Sequence, residues 1–157
     1  MSTAGRQADN LLCFAGVPAA SAEAIVRELA RQLHAAGHVL PSFEAAAVLR
    51  ERRSPTALPF DGGAVALPHA EPEHVVSPAL AVATLARPVR FRQMGSPGTQ
   101  LDVALVVMPA LTAKEQAAAG LTRIIELLQD PALRAALTAA PDAPAMQAIL
   151  GASWTAP

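Results

Sequence analysis

The sequence predicts an α/β fold, an α+β sandwich with a small mixed β-sheet of about four to five strands flanked by helices on both sides. Two observations lead to this prediction. The chain has 157 residues, which suits one domain. Short apolar segments typical of strands alternate along it with longer segments whose apolar residues recur every three or four positions. Such alternation favours helices packed on both faces of one sheet.

The first third of the chain predicts one strand and two helices. The apolar segment LLCFAGV (11–17) indicates a strand. Ser21 can cap a helix from Ala22 to about Ala36, and Ser42 can cap a second helix from Phe43 to about Arg53.

The middle of the chain predicts the rest of the sheet. AVAL (64–67), ALAVATL (79–85) and LDVALVVM (101–108) are strand candidates, and the last is apolar nearly throughout, which is typical of a central strand. Between the last two, RPVRFRQMGSPGT (87–99) predicts turns around a short strand at Val89–Phe91.

The last third predicts helices only. Thr112 and Glu115 match a T-x-x-E capping box that would open a third long helix. The core stripe of that helix would be Leu121, Ile124, Ile125 and Leu128. Asp130 and Asp142 each precede a further short helix, the second ending before Gly151.

We therefore assign residues 11–151 to a single domain, with a flexible N-terminus at 1–10 and a loose C-terminal tail at 152–157. No apolar run reaches the roughly 20 residues of a membrane helix, and the first ten residues lack the features of a signal peptide. The lone Cys13 cannot form an internal disulfide, which fits a reducing cytoplasm, and we expect it to be a small buried hydrophobe.

Composition argues against nucleic acid as a partner. The formal net charge is −1 and the isoelectric point is near 6.4. A protein that neutralises a phosphate backbone needs a basic surface, and this balance provides none.

Three polar residues stand where a site can form. Arg50 lies on or beside the inward stripe of the second helix, Thr56 follows a stiff Ser-Pro turn, and His69 follows the strand AVAL. By itself Arg50 would be interpreted as a side chain that extends past apolar neighbours to water. Together, a guanidinium, a hydroxyl and an imidazole at a strand end suit a phosphoryl group, because phosphoryl transfer requires mainly positioning and charge neutralisation.

The string LRERRSPTALPFDGGAVALPHAE (49–71) resembles enzyme IIA components of the phosphoenolpyruvate-dependent phosphotransferase system, of the fructose/mannitol type. R-E, P-T and A-x-P-H appear in the order of that family. The likeness continues through PVRF (88–91) and LDVALVVMPALTAKEQ (101–116), so it covers most of the chain.

This resemblance implies a phosphohistidine carrier without a cofactor or metal. His69 would accept a phosphoryl group on Nε2 from phospho-HPr, the histidine-containing carrier protein, and pass it to a cysteine of enzyme IIB. Arg50 would steady the phosphate, and Thr56 would support the site at its rim. The resemblance also suggests a cytoplasmic protein that works beside the membrane enzyme IIC during sugar uptake without inserting into the membrane.

One departure from the family pattern bears on the sugar. Mannitol-type members carry a second active-site histidine near the start of the helix after the central strand, where this chain has Gln116 or Ala117. Galactitol-specific members also lack that histidine, and an acidic residue and a histidine follow their motif, as Glu71 and His74 do here. The resemblance therefore leans toward the galactitol branch.

Nearby charged residues leave alternatives open. His74 is expected to be a solvated loop residue, with a supporting site role second and a metal pair with Glu71 or Glu73 third. The two glutamates should point away from His69, because carboxylates near it would favour its imidazolium form and repel phosphate. His34 and His38 are interpreted as surface residues near the end of the first helix.

Three functions follow from these observations. The first is the phosphohistidine carrier of sugar or sugar-alcohol uptake. The second is a regulatory module of the same fold, resembling nitrogen-type enzyme IIA, whose phosphorylation controls partner binding. The third is a metal-dependent hydrolase built on His69, His74 and the glutamates.

Overall fold

The computed structural model describes residues 9–151, 153 and 154, and these residues form the predicted α/β sandwich. The strands are β1 (Leu11–Val17), β2 (Leu58–Phe60), β3 (Gly63–Ala66), β4 (Ala79–Gln93) and β5 (Ser96–Ala110). The helices are α1 (Ala22–Ala35), α2 (Phe43–Arg53), α3 (Lys114–Leu128), α4 (Pro131–Ala139) and α5 (Ala143–Gly151), with one 3₁₀ turn at Pro72–His74.

All five strands belong to one mixed sheet in the order β1-β4-β5-β3-β2. Strand β5 is central, as its apolar sequence predicted. It is antiparallel to β4 and parallel to β3, while β1 is parallel to β4. The carboxyl end of β3 therefore lies beside the middle of the sheet, and the residues that follow it can be held firmly by their neighbours.

Val89–Phe91 lies in a strand as predicted, but that strand is long, and the turn predicted before it does not form. Strands β4 and β5 continue through residues 87–99 as a long hairpin that turns at Met94 and Gly95. Polar and apolar residues alternate along the hairpin, with Phe91 buried, and this period of two is that of a strand. Pro88 is accommodated where the register shifts between Thr84 and Val89, which is where a sheet tolerates proline.

The sheet separates two apolar cores. Alternate residues of β4 face opposite sides: Ala79, Ala81 and Ala83 pack with α1 and α2, whereas Leu80 and Val82 pack with α3, α4 and α5. The small alanine side chains leave room for α1 to lie close to the sheet. Helix α2 packs against α1 and contributes its buried residues Phe43, Ala47 and Val48 to the same core, which fixes the position of Arg50.

Helix starts follow the predictions in part. Ser21, Asp130 and Asp142 accept backbone hydrogen bonds as expected, from Ala24, Ala132 and Ala145. Ser42 makes no capping bond, since its hydroxyl is 2.8 Å from Nδ1 of His74. The predicted capping box of Thr112 is also wrong, because the residue that precedes α3 is Ala113, with φ of 54° and no capping side chain.

The predicted terminal segments lie largely outside the described residues, at 1–8, 152 and 155–157. Asn10 is held at the sheet, since its carbonyl accepts from the Leu80 amide at 2.8 Å. Trp154, which we expected in a loose tail, is only 4% exposed and packs in the core of α3, α4 and α5. None of the described helices combines the length and hydrophobicity needed to cross a membrane.

Candidate functional site

His69 lies three residues beyond β3, and its ring is fixed by the backbone next to it. Its Nδ1 is 2.7 Å from the carbonyl oxygen of Leu67. A carbonyl oxygen only accepts hydrogen bonds, so Nδ1 must carry a proton. In the neutral ring Nε2 then has a free lone pair, which is the state a nucleophilic histidine requires.

Arg50 meets this lone pair directly. It lies in the last turn of α2, and its Nε donates to Nε2 of His69 at 3.0 Å. An arginine has only donors, so this contact also requires an unprotonated Nε2. The two hydrogen bonds of the ring therefore assign the same tautomer, and the predicted pairing of Arg50 with His69 is present in the fold.

Glu71 does not point away from the site as expected. Its carboxylate forms an ion pair with Nη1 of Arg50. The physical reason is that the guanidinium presents several donors, and only its Nε is used by His69. The side chains of Arg50 and Glu71 are 36% and 53% exposed, so water screens much of the charge of this pair.

The surroundings of His69 lower the pKa of its ring from the ordinary value of 6.5. Burial is the largest cause, because it disfavours the charged imidazolium. The hydrogen bond to Leu67 raises the pKa, the charge of Arg50 lowers it, and the charge of Glu71 raises it by the smallest contribution of the four. The effect of the Glu71 carboxylate, which favours imidazolium, is thus outweighed by burial and the charge of Arg50.

Thr56 does not lie at the rim of the site. It is buried, 3% exposed, and the hydrogen bonds of its hydroxyl connect it to His69 only through Leu67. The hydroxyl accepts from the Leu67 amide at 3.1 Å and donates to Oε1 of Glu51 at 2.6 Å. A supporting role for Thr56 would therefore act through the backbone and not by contact with phosphate.

Glu51 is the residue that sequence reasoning missed. Its second carboxylate oxygen, Oε2, accepts from the Thr56 amide at 3.0 Å, so one carboxylate holds both polar groups of Thr56. The available signal was the R-E pair of the motif, in which Glu51 follows Arg50 directly.

The remaining histidines lie apart from this cluster. His74 bonds to Ser42 at the start of α2, and His38 bonds to Ser77 and to the carbonyl of Asp9. His34 is exposed at the end of α1. Across residues 9–151, 153 and 154, no group of three or more histidine, cysteine, aspartate or glutamate side chains is arranged to hold a metal ion.

Gln116 lies in the first turn of α3 and is, with Ala117, one of the two positions at which the resemblance predicts a missing second histidine. Its side chain is exposed, and its Oε1 is 3.5 Å from the hydroxyl of Thr112. The hydrogen bonds of this amide therefore give it no connection to the ring of His69.

Solved structures with the same fold come from bacterial phosphotransferase proteins. The complex of enzyme IIAMTL and phosphorylated enzyme IIBMTL from Escherichia coli matches with a TM-score of 0.74 and 23% identity, over 92% of this chain and 96% of that chain. The crystal structure of IIA mannitol from Escherichia coli matches with a TM-score of 0.72 and 24% identity, over 90% and 96%. The nitrogen regulatory protein IIA-Ntr from Neisseria meningitidis matches with a TM-score of 0.63 and 18% identity, over 95% and 99%.

Sequence comparison gives the family. A search of curated protein sequences found no match. The family profile described as "Phosphoenolpyruvate-dependent sugar phosphotransferase system, EIIA 2" matches residues 9–152, which is nearly the whole chain. The chain therefore belongs to the EIIA 2 family of the phosphoenolpyruvate-dependent sugar phosphotransferase system and is a phosphocarrier component of that system.

Proposed function

We propose that this protein carries a phosphoryl group on Nε2 of His69, taking it from phospho-HPr and passing it to a cysteine of enzyme IIB. The observation that carries the proposal is the contact of Arg50 Nε with His69 Nε2 at 3.0 Å, on a ring whose Nδ1 is held by Leu67. A nucleophile with a free lone pair and a cation beside it are the two groups that phosphoryl transfer needs.

The phosphoryl group moves in two displacement steps. The Nε2 lone pair forms a bond to phosphorus while the bond between phosphorus and the histidine of HPr breaks, and the electron pair of that bond stays with HPr. The ring of His69 keeps its Nδ1 proton and carries the positive charge, which the Leu67 carbonyl stabilises. In the second step a cysteine thiolate of enzyme IIB attacks phosphorus, and the electron pair returns to Nε2.

Arg50 has two roles in this account. In the resting protein its Nε–H caps the lone pair of Nε2. When phosphorus approaches, the guanidinium must shift from the lone pair, and its donors can then bind the equatorial oxygens. Glu71 would hold the guanidinium near the ring during this shift through its ion pair with Nη1.

Similarity to a IIA–IIB complex supports the choice of acceptor. The Escherichia coli structure holds enzyme IIAMTL with phosphorylated enzyme IIBMTL, and its fold matches 92% of this chain. The pattern around Gln116, Glu71 and His74 favours a sugar alcohol of the galactitol type as the substrate of the complete transporter, including its membrane component, enzyme IIC. We further propose that the protein works in the cytoplasm beside that transporter.

Reconstituted transfer tests the proposal. The protein is phosphorylated with purified phospho-HPr, separated from it, and mixed with an enzyme IIB encoded beside a galactitol-type or mannitol-type transporter. Loss of the phosphoryl group here and its gain on the IIB cysteine supports the carrier function, and His69→Ala must abolish both. Transfer that survives in His69→Ala would contradict it.

The same assay separates the regulatory alternative. A nitrogen-type module would accept phosphate from phospho-HPr and retain it in the presence of enzyme IIB. Similarity to IIA-Ntr from Neisseria meningitidis, at a TM-score of 0.63 against 0.74 for the IIAMTL complex, makes this the second candidate.

A further inference from the structure

A continuous chain of hydrogen bonds connects Glu51 to the ring of His69. The Glu51 carboxylate accepts from the amide and the hydroxyl of Thr56 at 3.0 and 2.6 Å. The Thr56 hydroxyl accepts from the Leu67 amide at 3.1 Å, and the Leu67 carbonyl accepts from Nδ1 of His69 at 2.7 Å.

Leu67 needs this support because it lies just beyond the sheet. Strand β3 ends at Ala66, which pairs with Val106 of β5. The amide of Leu67 is buried and bonds to the Thr56 side chain. The next residue, Pro68, has no amide proton, so Thr56 supplies the last side-chain anchor of the backbone before His69.

The direction in which donors and acceptors alternate along this series of hydrogen bonds depends on Glu51. A threonine hydroxyl has one proton and two lone pairs. Because that proton points to Oε1 of Glu51, a lone pair remains for the amide of Leu67. The amide of glutamine has one acceptor oxygen where the carboxylate has two, so Glu51→Gln removes the acceptor of either the amide or the hydroxyl of Thr56 with almost no change of shape.

The burial of Glu51 carries a desolvation penalty that a carboxylate on the surface would not have. Desolvation is the largest influence and raises the pKa of Glu51 above its ordinary value, although the hydroxyl and amide bonds from Thr56 and the charges of Arg92 and Arg50 oppose it. Both oxygens of this partly buried group accept from one residue, so the geometry fixes Thr56 in place.

We propose that Glu51 and Thr56 are positioning residues, which hold His69 in the tautomer with Nδ1 protonated and Nε2 free by fixing the backbone of Leu67. The inference rests on the proposed function of His69, since it explains why one tautomer is needed. It adds Glu51, which makes no contact with the reacting atoms, to the residues that set the transfer rate.

Nitrogen-15 NMR of the histidine ring tests the proposal directly, because protonated and unprotonated ring nitrogens have separate chemical shifts. The wild-type protein is compared with Glu51→Gln and Thr56→Val, and Thr56→Ser serves as the conservative variant that keeps the hydroxyl. We expect Nδ1–H alone in the wild type, a mixture of tautomers in Glu51→Gln and Thr56→Val, and recovery in Thr56→Ser.

Two matched controls separate positioning from general loss of stability. Thr84 is equally buried, at 6% exposed, and its hydroxyl accepts from the Gly16 amide at 2.9 Å, on a strand separated from β3 by β5. Thr84→Val therefore removes the same kind of bond elsewhere in the sheet. Glu44→Gln removes a carboxylate from the same helix, where it pairs with Arg27 and Arg31. Both controls should keep the wild-type tautomer.

Phosphorylation by phospho-HPr should slow by about 10- to 100-fold in Glu51→Gln and Thr56→Val, the range seen when partners that orient metal-binding histidines are removed. A single Nδ1–H tautomer in these folded variants would overturn the proposal. If neither variant folds, the wild-type spectrum still provides a test. A protonated Nε2 in the wild-type protein would overturn the proposal. The ring spectrum requires no phosphoryl donor, so failure of the proposed carrier function would appear separately, as a correct tautomer without phosphorylation.

Discussion

Arg50 and His69, nineteen residues apart in the chain, share a hydrogen bond of 3.0 Å between Nε and Nε2. The atom that accepts this bond is the atom expected to attack phosphorus. The resting protein therefore keeps its cation at the reacting atom, ready to neutralise the charge that a phosphoryl group brings.

Arg50→Ala should slow phosphorylation of His69 by about 10²-fold or more, because it removes the donors that stabilise the transferring group. The fold should be unaffected, since the side chain is 36% exposed and its ion pair with Glu71 is screened by water. Rapid-quench kinetics with purified phospho-HPr measures the rate. Arg53→Ala, an exposed arginine on the same helix, is the control, and an equal rate in the two variants would refute the assigned role.

The pKa of His69, measured by NMR titration, should lie below 6.5 and respond to its charged neighbours in opposite directions. Arg50→Ala should raise it, because the guanidinium disfavours imidazolium. Glu71→Gln should lower it, because the carboxylate favours imidazolium. Changes with the reverse signs would show that the charges around the ring are not arranged as described.

The same shift predicts how His69 affects stability. The pKa of His69 is lower in the folded protein than the value of about 6.5 in the unfolded chain. At a pH between these two values, His69 is therefore protonated in the unfolded chain but not in the folded protein. The free energy of unfolding should therefore be highest above about pH 6.5 and fall as the pH decreases through this range. Urea unfolding of wild type and His69→Gln at about pH 7.5 and 5.5 measures this, and an equal loss in both proteins would contradict it.

The proximity of Arg50 and His69 could be predicted from the sequence because each residue stands at or near the end of an element that the sequence predicts. Arg50 lies in the last turn of α2 and His69 follows β3, the strand beside the central one, so the order of the family motif agrees with the fold. Sequence reasoning misplaced Thr56 and Glu71 because their positions depend on tertiary contacts. Thr56 is buried because its hydroxyl accepts from the Leu67 amide, which lies beyond the last paired residue of β3, and Glu71 lies against Arg50 because of their opposite charges.

His74→Ala should leave phosphorylation unchanged and lower the free energy of unfolding by about 1 kcal/mol, the value of one hydrogen bond, because its ring bonds to Ser42.

A chelator tests whether the transfer needs a metal ion. The assay uses phospho-HPr purified beforehand, so that the chelator acts on this transfer step alone. Transfer should proceed equally with and without EDTA. Inhibition by EDTA, restored by a divalent metal, would favour the hydrolase alternative.

Cys13 should be unreactive in the folded protein. It is buried on β1, and burial raises the pKa of its thiol to about 12, so only roughly one thiol in 10⁵ is ionised at neutral pH. A thiol reagent followed by absorbance should label the protein in denaturant but not in buffer. Rapid labelling in buffer would show that the edge of the sheet at β1 opens readily.

The long hairpin of β4 and β5 shows where local patterns mislead. Pro88, Gly95 and Pro97 are turn residues by composition, yet Gly95 alone occupies the turn, with φ of 74°. The strand pairing of Arg90 with Asp102 and of Phe91 with Leu101 overrides the prolines. Such pairing joins residues ten and twelve positions apart, so a window of a few residues around each proline or glycine does not contain it.

Intact-mass measurement shows whether His69 accepts the phosphoryl group. The purified protein is incubated with phosphoenolpyruvate, enzyme I and HPr, and its mass is measured under non-acidic conditions alongside His69→Ala. The account predicts one phosphoryl adduct that requires HPr and is absent from the variant. No adduct on the wild type while another enzyme IIA is phosphorylated in the same mixture, or an adduct that persists in His69→Ala, would contradict it.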